Sequence, residues 1–131
     1  MAGVSTRDAL LVNAGSTSVK LTRLVNGRPA TPPSGLDDAL AAAATPDVVL
    51  HRVVHGGHRT GAVILDDAVL DELRALTELA PLHQPPALDA VDSCRRRWPG
   101  TTQIACFDTS FHTTLPPEAR AYALPARLRD A

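Results

Sequence analysis

Leu10-Leu11-Val12-Asn13-Ala14-Gly15-Ser16-Thr17-Ser18-Val19-Lys20-Leu21 is an apolar run that drops into a turn of small residues and emerges with a lysine. Apolar runs bounded by such a turn read as two strands joined in a tight hairpin. The turn offers backbone N–H groups, three hydroxyls and a cation in a small space, the parts that hold phosphate oxygens and a hydrated magnesium ion. Lys20 is the only lysine among thirteen Lys and Arg residues. In so arginine-biased a chain, a compact ammonium here reads as a point charge placed on purpose. The bland alternative is an ordinary hairpin, since Asn, Gly and Ser favour turns regardless of function, with a solvated lysine beside it.

Working outward, the chain alternates strands and helices. Strands are expected over residues 10–13 and Val19–Val25, with Asn26-Gly27 turning the chain towards a third strand. Pro29, Pro32 and Pro33 weaken that strand, because proline donates no ladder hydrogen bond. Residues 36–44, alanine-rich with two early aspartates, suit a short helix ended before Pro46. Val48-Val49-Leu50 and Val53-Val54 read as one buried strand running up to Gly56-Gly57. Asp66 or Asp67 caps a helix reaching about residue 79, with Val69, Leu73, Leu76 and Ala80 on one stripe. A further helix starts near Pro86 and ends at Trp98, turning Leu88, Val91, Cys94 and Trp98 inward. Ile104-Ala105-Cys106-Phe107 is the last strand, with Asp108 at its carboxyl end. A hairpin followed by alternating strands and helices is an α/β domain.

Composition narrows the function classes. A chain of 131 residues has room for one domain and a modest core. Thirteen basic against fourteen acidic side chains leave a net charge of −1, which points to neither a nucleic-acid nor a membrane partner. Arg95-Arg96-Arg97 falls in the last turn of a helix, where cations complement the dipole, and aromatics at 3% are too few for a stacking surface. The N-terminus lacks the form of a signal peptide and no apolar run is long enough to span a bilayer, so a cytoplasmic location is expected. Cys94 and Cys106 have no paired spacing and read as reduced, buried thiols. His51, His55 and His58 would converge on a zinc ion only on a helix; the neighbouring valines and glycines argue for strand and loop instead.

Three more segments follow the hairpin in order: His51-Arg52-Val53-Val54-His55-Gly56-Gly57, Ala80-Pro81-Leu82-His83-Gln84-Pro85-Pro86 and Phe107-Asp108-Thr109-Ser110-Phe111-His112. Together the four resemble the N-terminal part of the acetate and propionate kinase family, within the actin-like ATPase (ribonuclease H-like) superfamily. The resemblance runs from about Leu10 to Leu124. It implies a mixed five-stranded sheet that starts with a β-hairpin and is flanked by helices. It also implies a second, similar domain, with nucleotide held in the cleft between the two. Residues 1–131 would then be the N-terminal domain without its C-terminal counterpart. The segment between Asn26 and Val48 looks shorter than the family's, and the family's next motif, Phe-His-Gly-Thr-Ser-His, does not occur. Missing with it are a second arginine, the adenosine-binding loops and a magnesium-ligating glutamate, so the chain by itself is expected to bind nucleotide weakly and turn over little. The homodimer that the family implies would form largely through the same missing half.

The resemblance also implies roles. The reaction is reversible phosphoryl transfer between ATP and acetate, with Mg²⁺ or Mn²⁺ as cofactor. Asn13 lies beside the metal, and Ser16, Ser18 and Lys20 contact the phosphate chain. Thr17 stands where serine is usual and keeps its hydroxyl. Arg52 contacts the acyl substrate and the transferring phosphoryl group, for which a guanidinium offers a matching planar fork. Read from its surroundings alone, Arg52 lies in a strand of valines, where its charge needs a partner; a buried, structural ion pair with an aspartate is the rival reading. Val54, two residues on, lines an apolar pocket for the acetate methyl beside Leu82. His83 orients or stabilises the phosphoryl group, or is a neutral histidine satisfied by backbone. Gln84 replaces the family's usual asparagine, which leaves its contact open. Asp108 is catalytic, and because acetate is already ionised at neutral pH it positions magnesium or the phosphoryl group rather than acting as a base. Thr109 and His112 support the site from behind or are purely structural. A propionate or butyrate kinase would share all these motifs, and a non-catalytic fragment or a half completed by a partner is the reading from a different class.

Overall fold

The computed structural model describes residues 8–42, 44–111, 113–116 and 119. His112 and the end of the resemblance up to Leu124 lie outside the described residues. The opening run forms β1 (Asp8–Ala14) and β2 (Val19–Val25), antiparallel, with Asn13 opposite Lys20 and Ala14 opposite Val19. Gly15 N–H closes the loop onto Ser18 O at 2.8 Å. Asn26 and Gly27 both take positive φ, 52° and 75°, the backbone of a two-residue hairpin turn. They lead into β3 (Arg28–Ala30), held to three residues at the sheet edge as its prolines require.

After α1 (Leu36–Ala41) the chain enters β4 (Val48–Val53), which pairs parallel to β1. β6 (Thr102–Phe107) pairs parallel to β4 in turn. The sheet order is β3-β2-β1-β4-β6-β5, six strands among the described residues rather than the five expected. The extra one, β5 (Val63–Ile64), is two residues paired antiparallel to β6, too short to show any period in sequence. α2 (Asp67–Ala75) starts where Asp66 Oδ1 accepts from Val69 N–H at 2.8 Å, an N-cap. It stops earlier than expected, and Thr77–Leu79 continue as one 3₁₀ turn. Of the expected stripe, Leu73 and Ala80 are buried and Val69 and Leu76 pack half-buried against the core, and Leu70 is buried beside them. α3 (Gln84–Arg97) begins two residues before Pro86 and buries Leu88, Val91 and Cys94, with Trp98 just beyond it, as the periodicity indicated. The arginines of its last turn are tied to the fold: Arg95 pairs with Asp67, and Arg97 donates to Leu40 O and Ala42 O.

One face of the sheet carries the core. Leu10 and Val12, Val49 and Val53, and Ala105 and Phe107 point the same way and pack with Leu70, Leu73, Leu88 and Val91 from the helices. Residues alternating with these (Leu11, Asn13, Leu50, Arg52, Ile104, Cys106) share the opposite face and are half-buried or exposed.

His51 belongs to the core face, 1% exposed, with Nε2 2.6 Å from Gln103 Oε1. Burial pushes the imidazole below its usual value of 6.5, and the bond to Gln103 pulls it part of the way back. The ring is therefore neutral when folded. As pH falls below 6.5 the unfolded chain takes up a proton that the folded chain refuses. Stability contributed above 6.5 is lost as pH falls towards the depressed folded value, at up to about 1.4 kcal/mol per pH unit. Urea unfolding at pH 7.5, 6.5 and 5.5 should show a steeper acid loss for the natural protein than for His51→Gln. Parallel curves would mean that His51 is not the group responsible.

Candidate functional site

The register of the sheet assembles a site that no single segment contains. Lys20 is opposite Asn13, Asn13 opposite Arg52, and Arg52 opposite Cys106. The four therefore stand in one row across β2, β1, β4 and β6, on the face away from the core. The row crosses the sheet at the carboxyl ends of the parallel strands, where α/β folds hold their ligands. The loop with Ser16, Thr17 and Ser18, all exposed, projects beyond the same end.

Asp108 follows β6 directly and opens a 3₁₀ turn, Asp108–Ser110. Arg52 meets it fork to fork: Nε donates to Oδ1 at 2.8 Å and Nη2 to Oδ2 at 2.5 Å, while Nη1 donates to Asn13 Oδ1 at 3.1 Å. The hydrogen bonds to Asp108, and then its charge, hold the guanidinium further above its usual range, so Arg52 is cationic at any working pH. The expectation of a buried arginine needs correction. The Arg52 side chain is 51% exposed and that of Asp108 38%, because this face of β4 carries none of the described helices. The rival ion pair with an aspartate is present, but at the mouth of the site rather than inside the core. A half-exposed pair contributes little to stability. What it does is orient. Among the described residues the pair uses two of the five N–H donors of the guanidinium and Asn13 a third, and two remain for another oxygen ligand.

Arg52, Cys106, Phe107, Asp108 and Phe111 line an open groove of about 390 Å³. Cys106 was expected to be buried; it is exposed, because it alternates onto the open face, whereas the buried Cys94 thiol is pushed up to about 11. A larger groove of about 540 Å³ lies at the other end of α3, but Arg95 and Arg96 in its lining are bonded to Asp67 and Ser93.

The remaining candidates sit around this corner. Val54 is half-buried and its carbonyl accepts from Thr109 N–H at 3.2 Å; Leu82 is 71% exposed and His83 exposed on the turn entering α3. Neither Val54 nor Leu82 lines the Arg52 groove. The three histidines do not converge. His51 faces the core, His55 Nδ1 accepts from Gly57 N–H at 3.0 Å, and His58 is exposed. Among the described residues no group of three His, Cys, Asp or Glu side chains could hold a metal ion.

Sequence reasoning left Gln84 open, and the structure gives it a definite place. It is fully buried, with Oε1 accepting from His55 N–H at 3.2 Å and Nε2 donating to His55 O at 2.9 Å and to Leu73 O at 3.2 Å. The carboxamide thereby pairs with both backbone groups of one residue, as a neighbouring strand would, and ties the start of α3 to the loop after β4. Gly56 completes the packing: a Cβ there would collide with the Phe107 ring.

Comparison with known proteins gives a consistent picture. A family model described as the Acetokinase family matches residues 37–131. An acetate kinase of Desulfitobacterium hafniense is 46% identical over 76 residues, 57% of this chain and 19% of its own length. A propionate kinase of Salmonella agona is 38% identical over 134 aligned positions, 94% of this chain and 31% of its own. The crystal structure of Porphyromonas gingivalis acetate kinase superposes with a TM-score of 0.78 at 25% identity, covering 94% of this chain and 42% of that one. The chain thus spans between about a fifth and a third of the length of these curated relatives.

Proposed function

Since this chain belongs to the acetokinase family, we propose that it forms one wall of the active site of an enzyme that reversibly transfers the terminal phosphoryl group of ATP to acetate. A carboxylate oxygen of acetate attacks the γ-phosphorus as the bond to the bridging oxygen of ADP breaks, so the catalyst chiefly positions and neutralises charge. The two free N–H donors of Arg52 take the acetate carboxylate and the phosphoryl oxygens. Lys20, with Ser16 and Ser18 beyond it, holds the phosphate chain. Both carboxylate oxygens of Asp108 are engaged by Arg52, which supports a role in aiming the guanidinium and the phosphoryl group rather than in removing a proton. His83 on the α3 turn is assigned to the phosphoryl group, and Val54 and Leu82, which do not line the Arg52 groove, are assigned to the acetate methyl by the resemblance alone. The observation that carries this reading is the Lys20–Asn13–Arg52 row with Asp108 locked onto its end.

Magnesium fits the donor chemistry, which is oxygen throughout. Asn13 Oδ1 and both Asp108 oxygens already accept from Arg52, so these residues would hold the ion through its water shell. When bound, it neutralises phosphate charge. The other wall of the cleft, which excludes water, comes from outside these 131 residues, as the length of the relatives supports. A cytoplasmic homodimer is the setting expected of the whole enzyme.

The test grafts residues 8–116 in place of the matching segment of the D. hafniense acetate kinase and traps acetyl phosphate as its hydroxamate. The graft should turn over with Mg-ATP and acetate, and the 131-residue chain alone should give little or nothing. A folded graft that makes no acyl phosphate from acetate, propionate or butyrate would refute the proposal. Faster turnover with propionate would select the second reading, a propionate kinase, which the S. agona relative favours by matching 94% of the chain.

A further inference from the structure

Beyond Phe107, the last residue of β6 in register with β4, the two strands part. Thr109 bridges the opening. Its N–H donates to Val54 O at 3.2 Å, extending the backbone ladder by one rung. The 3₁₀ turn then carries the backbone away, and the Thr109 side chain replaces it: Oγ1 accepts from Gly56 N–H at 3.0 Å. Gly56 is buried, so its N–H would otherwise be left without water or partner. The residue next to Asp108 is thus fastened at two points to the loop that continues from Arg52.

We propose that Thr109 is a positioning residue: through this two-point latch it fixes the turn that carries Asp108, and so holds the carboxylate against the Arg52 fork. The consequence for phosphoryl transfer rests on the function proposed above, but the latch itself does not. Apart from the Asp108–Arg52 pair itself, the turn is held by local bonds, Ser110 Oγ to Phe107 O at 2.8 Å, Phe111 N–H to Asp108 O at 3.1 Å, and Thr113 N–H and Oγ1 to Ser110 O at 3.3 and 2.9 Å, and none of these ties it to β4. With the hydroxyl removed, the loop must shift to satisfy Gly56 N–H, and the Asp108 turn loses its outer anchor.

The test reads Arg52 directly and needs neither ATP nor acetate. Phenylglyoxal condenses with unprotonated guanidine, so a guanidinium locked on a carboxylate reacts slowly. The rate of adduct formation at Arg52 is followed by peptide mapping in the folded 131-residue protein. Arg23, paired with Asp8 at the other end of the sheet, is the internal control. Thr109→Val should raise the Arg52 rate about fivefold, the equivalent of one hydrogen bond, towards the rate in Asp108→Asn. Thr109→Ser, which keeps the hydroxyl, should stay within about twofold of the natural protein. Thr109→Ala is read in the same way as Thr109→Val and guards against a methyl that does not fit. An unchanged Arg52 rate in the Val and Ala variants overturns the proposal. So does a Ser variant as fast as Val, and so does an equal rise at Arg23, which would mean general loosening. Loss of turnover in the graft with the latch intact would instead count against the function alone.

Discussion

Arg52→Ala in the grafted enzyme should lower kcat/KM for acetate by about three orders of magnitude, the scale on which charge-stabilising donors act in a desolvated site. The loss has two parts. The substrate carboxylate and the phosphoryl oxygens lose their planar donor, and Asp108 loses the partner that sets its orientation. Both kcat and KM for acetate should therefore worsen, while KM for ATP moves little, because the phosphate chain is assigned to Lys20 and the hairpin loop. Arg52→Lys should recover only a small share, since one ammonium cannot satisfy both Asp108 oxygens and still face a substrate. Thermal stability separates this from a folding defect. The pair is half-exposed, so its removal should leave the melting temperature within a few degrees. A loss of less than tenfold in kcat/KM would overturn the role assigned to Arg52.

How much of this was legible in sequence depends on the range of the interaction concerned. The hairpin could be read because both strands and their turn lie within eighteen residues, and the N-cap at Asp66 because a cap acts over three. Asp108 was placed at the end of a strand for a similarly local reason. The row Lys20–Asn13–Arg52 was not legible, because register between β1 and β4 joins residues 39 apart. The burial of Arg52 was misjudged because Val48-Val49-Leu50-His51-Arg52-Val53 is apolar on both faces of the strand. Only the placement of α3 over one of them decides which side stays open. Cys106 was misread for the same reason. β5 is below the length at which a period exists, and the contact of Gln84 required knowing which loop lay beneath α3.

That contact makes Gln84→Leu the substitution with the largest expected effect on stability. Leucine has a comparable volume and suits a helix, so neither a cavity nor helix propensity would account for a loss. Instead, two backbone groups lose the partner that Gln84 supplies, His55 N–H and His55 C=O, while Leu73 C=O gives up one of two bonds and keeps Leu76 N–H. Each such group costs about 1–3 kcal/mol, and because both belong to one residue and can relax together the sum should be about 2–4 kcal/mol. Against a total of about 5–15 kcal/mol for a domain, that removes a large share of the stability. Denaturant unfolding measures the total loss, and amide exchange locates it. The His55 amide should lose its protection first, because the bonds removed are its own, with the β1–β2 hairpin protected for longer. A loss below about 1 kcal/mol would mean that the loop finds other partners and that Gln84 is not what holds α3 to the Arg52 strand.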